Sequence, residues 1–209
     1  MRRRIERHDG RGAVMVEAAI VFPLLFLLVL GAFDYGLLFR DDLTMANMTR
    51  QGARTASALG QSTTADYSIL SAISSASSAL QSGRGSVQQI VIFDATCGNG
   101  YTLVCDSTND PSSAVPTACT SGAVTNECNV YTAADLQALS SSNFGCGATQ
   151  KDRFWCPSTR VTSESGNGGK GPDYLGVYLV VNHQWVTGMF GPSRVLHDTV
   201  VFRLEPTSL

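Results

Sequence analysis

Six cysteines, Cys97, Cys105, Cys119, Cys128, Cys146 and Cys156, have the most chemistry to offer, and none lies in the first 96 positions. An even number confined to one part of the chain reads as disulfides formed in an oxidising compartment. Zinc fits less well, because no CxxC pair occurs and the spacings match neither a ribbon nor a finger. Six cysteines leave the connectivity open. Cys156, in Phe154-Trp155-Cys156-Pro157-Ser158, has no CxxC partner for redox work. His183 and His197 offer a metal or acid–base pair in principle. Two isolated histidines nevertheless read as surface or turn residues, and adjacency alone does not let Asp198 orient the His197 ring. Serine catalysis lacks a G-x-S-x-G elbow. Asp106, Asn109 and Asp110 could give oxygen ligands to calcium, but the EF-hand spacing is missing and an Asp/Asn-rich turn accounts for them. The stretch 163–172 is a flexible loop without the phosphate-loop pattern. Trp155, Trp185 and Tyr178 read as core or sheet aromatics. The expectation is therefore a protein that is not an enzyme, with no cofactor and no metal.

One further residue is chemically out of place. Glu17 sits near the start of a dense apolar run, 13–39, whose stretch 18–33 carries no charge. As a helix that stretch covers about 24 Å against a hydrocarbon layer of ~30 Å, and 13–39 covers about 40 Å. Arg2, Arg3, Arg4, Arg7 and Arg11 precede the run. They put the N-terminus in the cytoplasm and everything after Arg40 outside, in the periplasm or beyond the cell. An ordinary signal peptide is a poor fit, since Gly31-Ala32 gives no clean A-x-A and bulky Leu37, Leu38 and Phe39 follow. A net charge of −2 excludes a basic field for nucleic acid.

A carboxylate on an apolar helix costs ~2.5–3.5 kcal/mol at mid-bilayer and less near the edge, so it usually has a partner and a use. By position alone Glu17 could equally snorkel into the headgroups. Its setting resembles the type III signal of the type IV pilin superfamily: a basic leader, Gly12, four mostly apolar residues, Glu17, then the apolar helix. The resemblance implies cleavage between Gly12 and Ala13 by a prepilin peptidase. It also implies that Glu17 neutralises the new ammonium of Ala13 on a neighbouring subunit inside an apolar filament core. In low dielectric neither charge is tolerable alone.

The wider pattern is similar to the TadE-like family of the tight-adherence pilus system. It rests on Gly12, Val16, Glu17, Ala19 and Pro23, then Asp34-Tyr35-Gly36, then Ala53, Arg54 and Ala56, with Arg203-Leu204-Glu205-Pro206 near the end. What this implies is a minor pilin or pseudopilin, since the major subunit of such a system is very short. The implied partners are the membrane, other pilin or pseudopilin subunits, the prepilin peptidase and the Tad assembly platform. A pseudopilin of a secretion machine is a close neighbour of this reading. The rival of a different class is a signal-anchored extracellular binding module that enters no filament.

The remaining pattern organises the chain. The divisions are a basic leader 1–12, a transmembrane helix 13–39, its extension 40–60, and an exported domain 61–209 holding the six cysteines. Leu43, Ala46, Ala53, Ala56 and Leu59 form a stripe at helical spacing, and Gly60 stops it. Pro23 predicts a kink or local melting. A second helix is expected over 66–81 on Ile69, Ile73, Ala76 and Leu80. Strands are expected over 87–93, along the alternation of Leu175, Val177, Leu179 and Val181, and over 199–204, with a turn in 188–194. Thr132 caps a short helix 133–139, with Asp135 at the box position. The fold class is α+β: a long spine helix, a second helix, then a small antiparallel sheet with a cysteine-rich loop region.

Overall fold

In the computed structural model the described residues are 11–81, 84–96, 115–122, 127–169 and 171–206. Cys97, Cys105 and the calcium candidates Asp106, Asn109 and Asp110 fall outside them, as does the leader before Arg11. Helix α1 runs Arg11–Leu59 and helix α2 Ala65–Gln81. Strand β1 is Gly85–Asp94, followed by a short helix α3 (Thr117–Thr120), β2 (Cys128–Thr132) and α4 (Ala133–Gln137). Strands β3 (Tyr174–Gln184) and β4 (Ser193–Arg203) close the chain as a hairpin. This is the expected α+β architecture.

At ~1.5 Å per residue α1 is about 73 Å long. It runs unbroken through Pro23, so the local melting expected as one outcome there does not occur. Proline removes one N–H, and the rest of the helical ladder closes around it. The helix stops at Gly60, whose φ of +51° is left-handed and open to glycine at little cost.

Only the second half of α1 is packed. Its inward stripe is Asp34, Leu38, Asp41, Met45, Met48, Gly52, Ala56 and Gly60, stepping by threes and fours, with Ala53 buried beside Gly52. Leu43 does not belong to it and faces outward, exposed. The expected stripe went astray there because it was drawn through apolar residues alone and passed over the buried aspartates. Gly52 lets α2 approach closely, since a Cβ there would meet Ile73 Cδ1 at 2.9 Å. Ile69, Leu70, Ile73 and Leu80 of α2 are buried in this seam. Each contributes roughly 1.5–3 kcal/mol by leaving water.

The sheet order is β2-β1-β3-β4, antiparallel throughout, with a bulge in β1 between Val87 and Gln89. Val87, Ile90, Ile92, Leu175, Val177, Leu179 and Val181 join Met45, Met48 and the α2 residues in one core. A second cluster, Val91, Phe93, Ala95, Val115, Cys119 and Cys128, includes residues of the opposite side of β1. Strand β4 reaches Arg203, starting six residues earlier than expected. Disulfides join Cys119 to Cys128 and Cys146 to Cys156, and no described cysteine is free.

Candidate functional site

As far as Leu30, α1 is bare among the described residues. Val14, Met15, Val16 and every residue from Ala19 to Leu30 are exposed. Among the described residues this is one helix long and apolar enough to cross a membrane. Gly12 lies in its first turn, with open space around the position a Cβ would take. Glu17 is exposed on a face shared with Val14, Ala18, Val21 and Phe22. No described residue holds its carboxylate. The chain thus carries a solvent-seeking group on a continuously apolar surface, and no described residue covers either.

The domain begins where Asp34 enters the stripe. Asp34 is buried and accepts from the backbone N–H of Val186 at 3.1 Å and of Thr187 at 3.4 Å, and from the Thr187 hydroxyl. These donors belong to the β3–β4 turn. Around them Tyr35, Trp185 and Phe190 pack edge to face, with centroids 5.0–5.7 Å apart. Two turns higher, Asp41 Oδ2 lies 2.7 Å from His183 Nδ1, with both side chains buried. Gly85 makes room for this pair, because a Cβ there would stand 2.9 Å from Asp41 Oδ2. His183 therefore is not the surface residue expected from sequence; it ties the sheet to the helix. His197 is exposed on β4, three positions beyond the Arg194 that pairs with His183, and the two make no site together.

The end of the chain returns to the same helix. Ser57 Oγ donates to Arg203 O at 2.8 Å, and Glu205 N donates to Ser57 O at 3.1 Å. Leu204 between them is buried. Ala53 and Ala56 are buried against the domain, while Arg54 points outward.

A third polar group sits above α2. Asp66 accepts from Arg160 at 2.6 Å, Tyr131 at 2.7 Å and Asn129 at 2.9 Å, all of them buried. Arg160 also lies over the Trp155 ring at 4.1 Å. Burial, and then the Asp66 charge, push the Tyr131 phenol well above its ordinary value, so it stays a donor. Among the described residues no group of three or more His, Cys, Asp or Glu side chains gathers for a metal ion.

Residues 12–54 match the family model described as TadE-like protein. No curated protein and no solved structure matches the chain. The TadE-like stretch starts at Gly12 and contains Glu17, the bare apolar half, Asp34, Asp41 and Arg54. It ends within the docked half of α1, so α2, the sheet and both described disulfides lie outside it. The structure brings Asp34 and Tyr35 together with the hairpin, and Ser57 with the Arg203–Glu205 segment. It does not bring Gly12 or Glu17 to any part of the domain.

Three partnerships were missed from sequence, and two left a signal. The alternation Leu175, Val177, Leu179, Val181 continues inward onto His183, which marks it as buried. Asp34 and Asp41 keep step with Leu38 and Met45, which marks them as inward too. For Arg160, inside a loop, no periodicity was available.

Proposed function

We propose that this chain is a minor pilin-like subunit of a tight-adherence pilus system, cleaved after Gly12 and held in the membrane until assembly. It spans the membrane once, with its N-terminus cytoplasmic and its disulfide-bonded domain outside. Its partners are the prepilin peptidase, the Tad assembly platform and other pilin or pseudopilin subunits. Nothing in the proposal asks the protein for catalysis. The observation that carries it is the bare half of α1, where an exposed Glu17 stands on a continuously apolar surface inside a TadE-like match. Such a surface is satisfied by lipid or by identical helices, and its carboxylate by a cation of similar depth. The ammonium created at Ala13 supplies that cation. The Gly12–Ala13 bond lies in the first helical turn, whose N–H groups have no helical partner, so opening it for a peptidase sacrifices few bonds.

The test is the mass of the mature protein from cells with an active prepilin peptidase. It should begin at Ala13, in the native chain and in Glu17→Ala alike, while only the native chain enters filaments. An intact N-terminus, or a cut near residue 32, sinks the processing. Normal incorporation of Glu17→Ala sinks the pairing role.

A further inference from the structure

The β3–β4 turn leaves Val186, Met189 and Phe190 exposed at 43%, 42% and 43%, an apolar tip on an otherwise mixed surface. The tip does not project away from the molecule. It lies against α1, and a Cβ at Gly31 would be 3.8 Å from the Phe190 ring. Gly31 belongs to the uncharged stretch 18–33. Whatever surrounds the last turns of that stretch therefore surrounds the tip as well.

We propose that the β3–β4 tip is a second membrane contact, inserted into the outer leaflet of a phospholipid bilayer beside α1. The proposal rests on α1 being the membrane span. Three observations select lipid as the occupant. The stretch 18–33 covers about 24 Å, so a hydrocarbon layer of ~30 Å must extend past one of its ends. On the outer side the next residue is Asp34, which lipid would reject on an isolated helix. Here it is wrapped by the Val186 and Thr187 donors and fully buried, so that level is open to hydrocarbon. Finally, exposed charges resume higher up, at Arg40 and Asp42 on α1 and at Arg194, which pairs with His183 across the hairpin. Arg40 stands about 13 Å above Gly31, the height of a headgroup layer over the tip. The Tyr35, Trp185 and Phe190 cluster lies between, where aromatic rings favour the interface. One turn thus satisfies the carboxylate oxygens of Asp34 and fixes the tilt and depth of the domain.

The full-length protein is reconstituted in phosphatidylcholine vesicles carrying bromines at shallow or deep acyl positions. Two single-tryptophan variants, Phe190→Trp and Phe26→Trp, are built in a Trp155→Phe/Trp185→Phe background. Emission from Phe190→Trp should be quenched most by shallow bromines, and that from Phe26→Trp most by deep ones. Quenching of Phe26→Trp alone, with Phe190→Trp open to aqueous acrylamide, overturns the insertion and leaves the span standing. Absence of quenching in both overturns the span and the insertion with it. Protection of Phe190→Trp from lipid and acrylamide together, growing with protein density, means a second copy covers the tip and also overturns the proposal. Should the variants misfold, the native chain suffices. Trp185, 5.1 Å from Phe190, must then lose emission to shallow bromines while Trp155 keeps its own.

Discussion

Asp66 and Arg160 are the pair whose removal the fold tolerates least, for a reason found in their surroundings. Both side chains are buried, and Asp66 also takes the Tyr131 and Asn129 donors, while Arg160 Nε and Nη1 meet no acceptor among the described residues. An ion pair that is already short of hydrogen bonds contributes modestly, yet breaking it strands a charge in the interior at a cost of about 3–5 kcal/mol. Asp66→Ala and Arg160→Met should each destabilise by that order. The double variant should lose clearly less than the sum, because it leaves no unpaired charge in the interior. Urea unfolding of the detergent-solubilised protein measures this, and additive losses would show that the two act separately. Cys146 and Cys156 bracket the loop that precedes Arg160, so the staple keeps the arginine's approach short.

At the scale of elements, the sequence disclosed whatever depends on period and on caps. The strand alternation over Leu175, Val177, Leu179 and Val181 and the Ile69, Ile73, Leu80 face of α2 were legible, since each pattern has one buried side. The extent of β4 was not, because Ser193, Arg194 and Val195 are exposed and held as strand by pairing with His183 and its neighbours. In the candidate site, Gly12 and Glu17 were legible by local spacing. The Asp34 and Asp41 contacts join positions about 140 to 150 residues apart, which no local pattern encodes. Thr132 and Asp135 show the opposite case, a fully local device. Thr132 N and Oγ1 donate to Asp135 Oδ2 at 2.8 Å, and Asp135 N donates back to Thr132 Oγ1 at 3.4 Å. Burial alone would raise the Asp135 carboxyl, but Lys151 at 2.9 Å and the Thr132 donors outweigh it and hold it below the usual range. Folding therefore favours the ionised form. This contribution is complete above the unfolded value near ~3.9 and fades as pH falls through the lowered one. Asp135→Ala should cost roughly 1 kcal/mol at pH 7 and nothing once the native carboxyl is protonated, so stability curves of the two proteins converge in acid. Parallel curves down to that pH would count against the box.

The whole molecule is organised by a helix that serves two solvents. Residues 19–30 of α1 are exposed throughout, whereas Leu38, Met45, Met48, Ala53 and Ala56 are buried in the domain. The domain boundary consequently runs through the middle of α1, near Asp34, and not at Gly60 where the helix stops. A chain beginning at Asp34 and exported to an oxidising compartment should fold, form the Cys119–Cys128 and Cys146–Cys156 bridges, and unfold cooperatively. One beginning at Gln61 loses Leu38, Met45 and Met48 and uncovers Ile69, Ile73, Leu179 and Val181. At roughly 1.5–3 kcal/mol for each large side chain, that loss matches the ~5–15 kcal/mol by which a domain is stable. The shorter chain should show no cooperative transition in circular dichroism. The first chain, freed from the membrane, exposes Val186, Met189 and Phe190 to water and should self-associate unless lipid or detergent covers them. If the Asp34 chain fails to fold while the full-length protein is stable, residues 14–33 belong to the domain's own core, and the division of α1 into two environments is wrong.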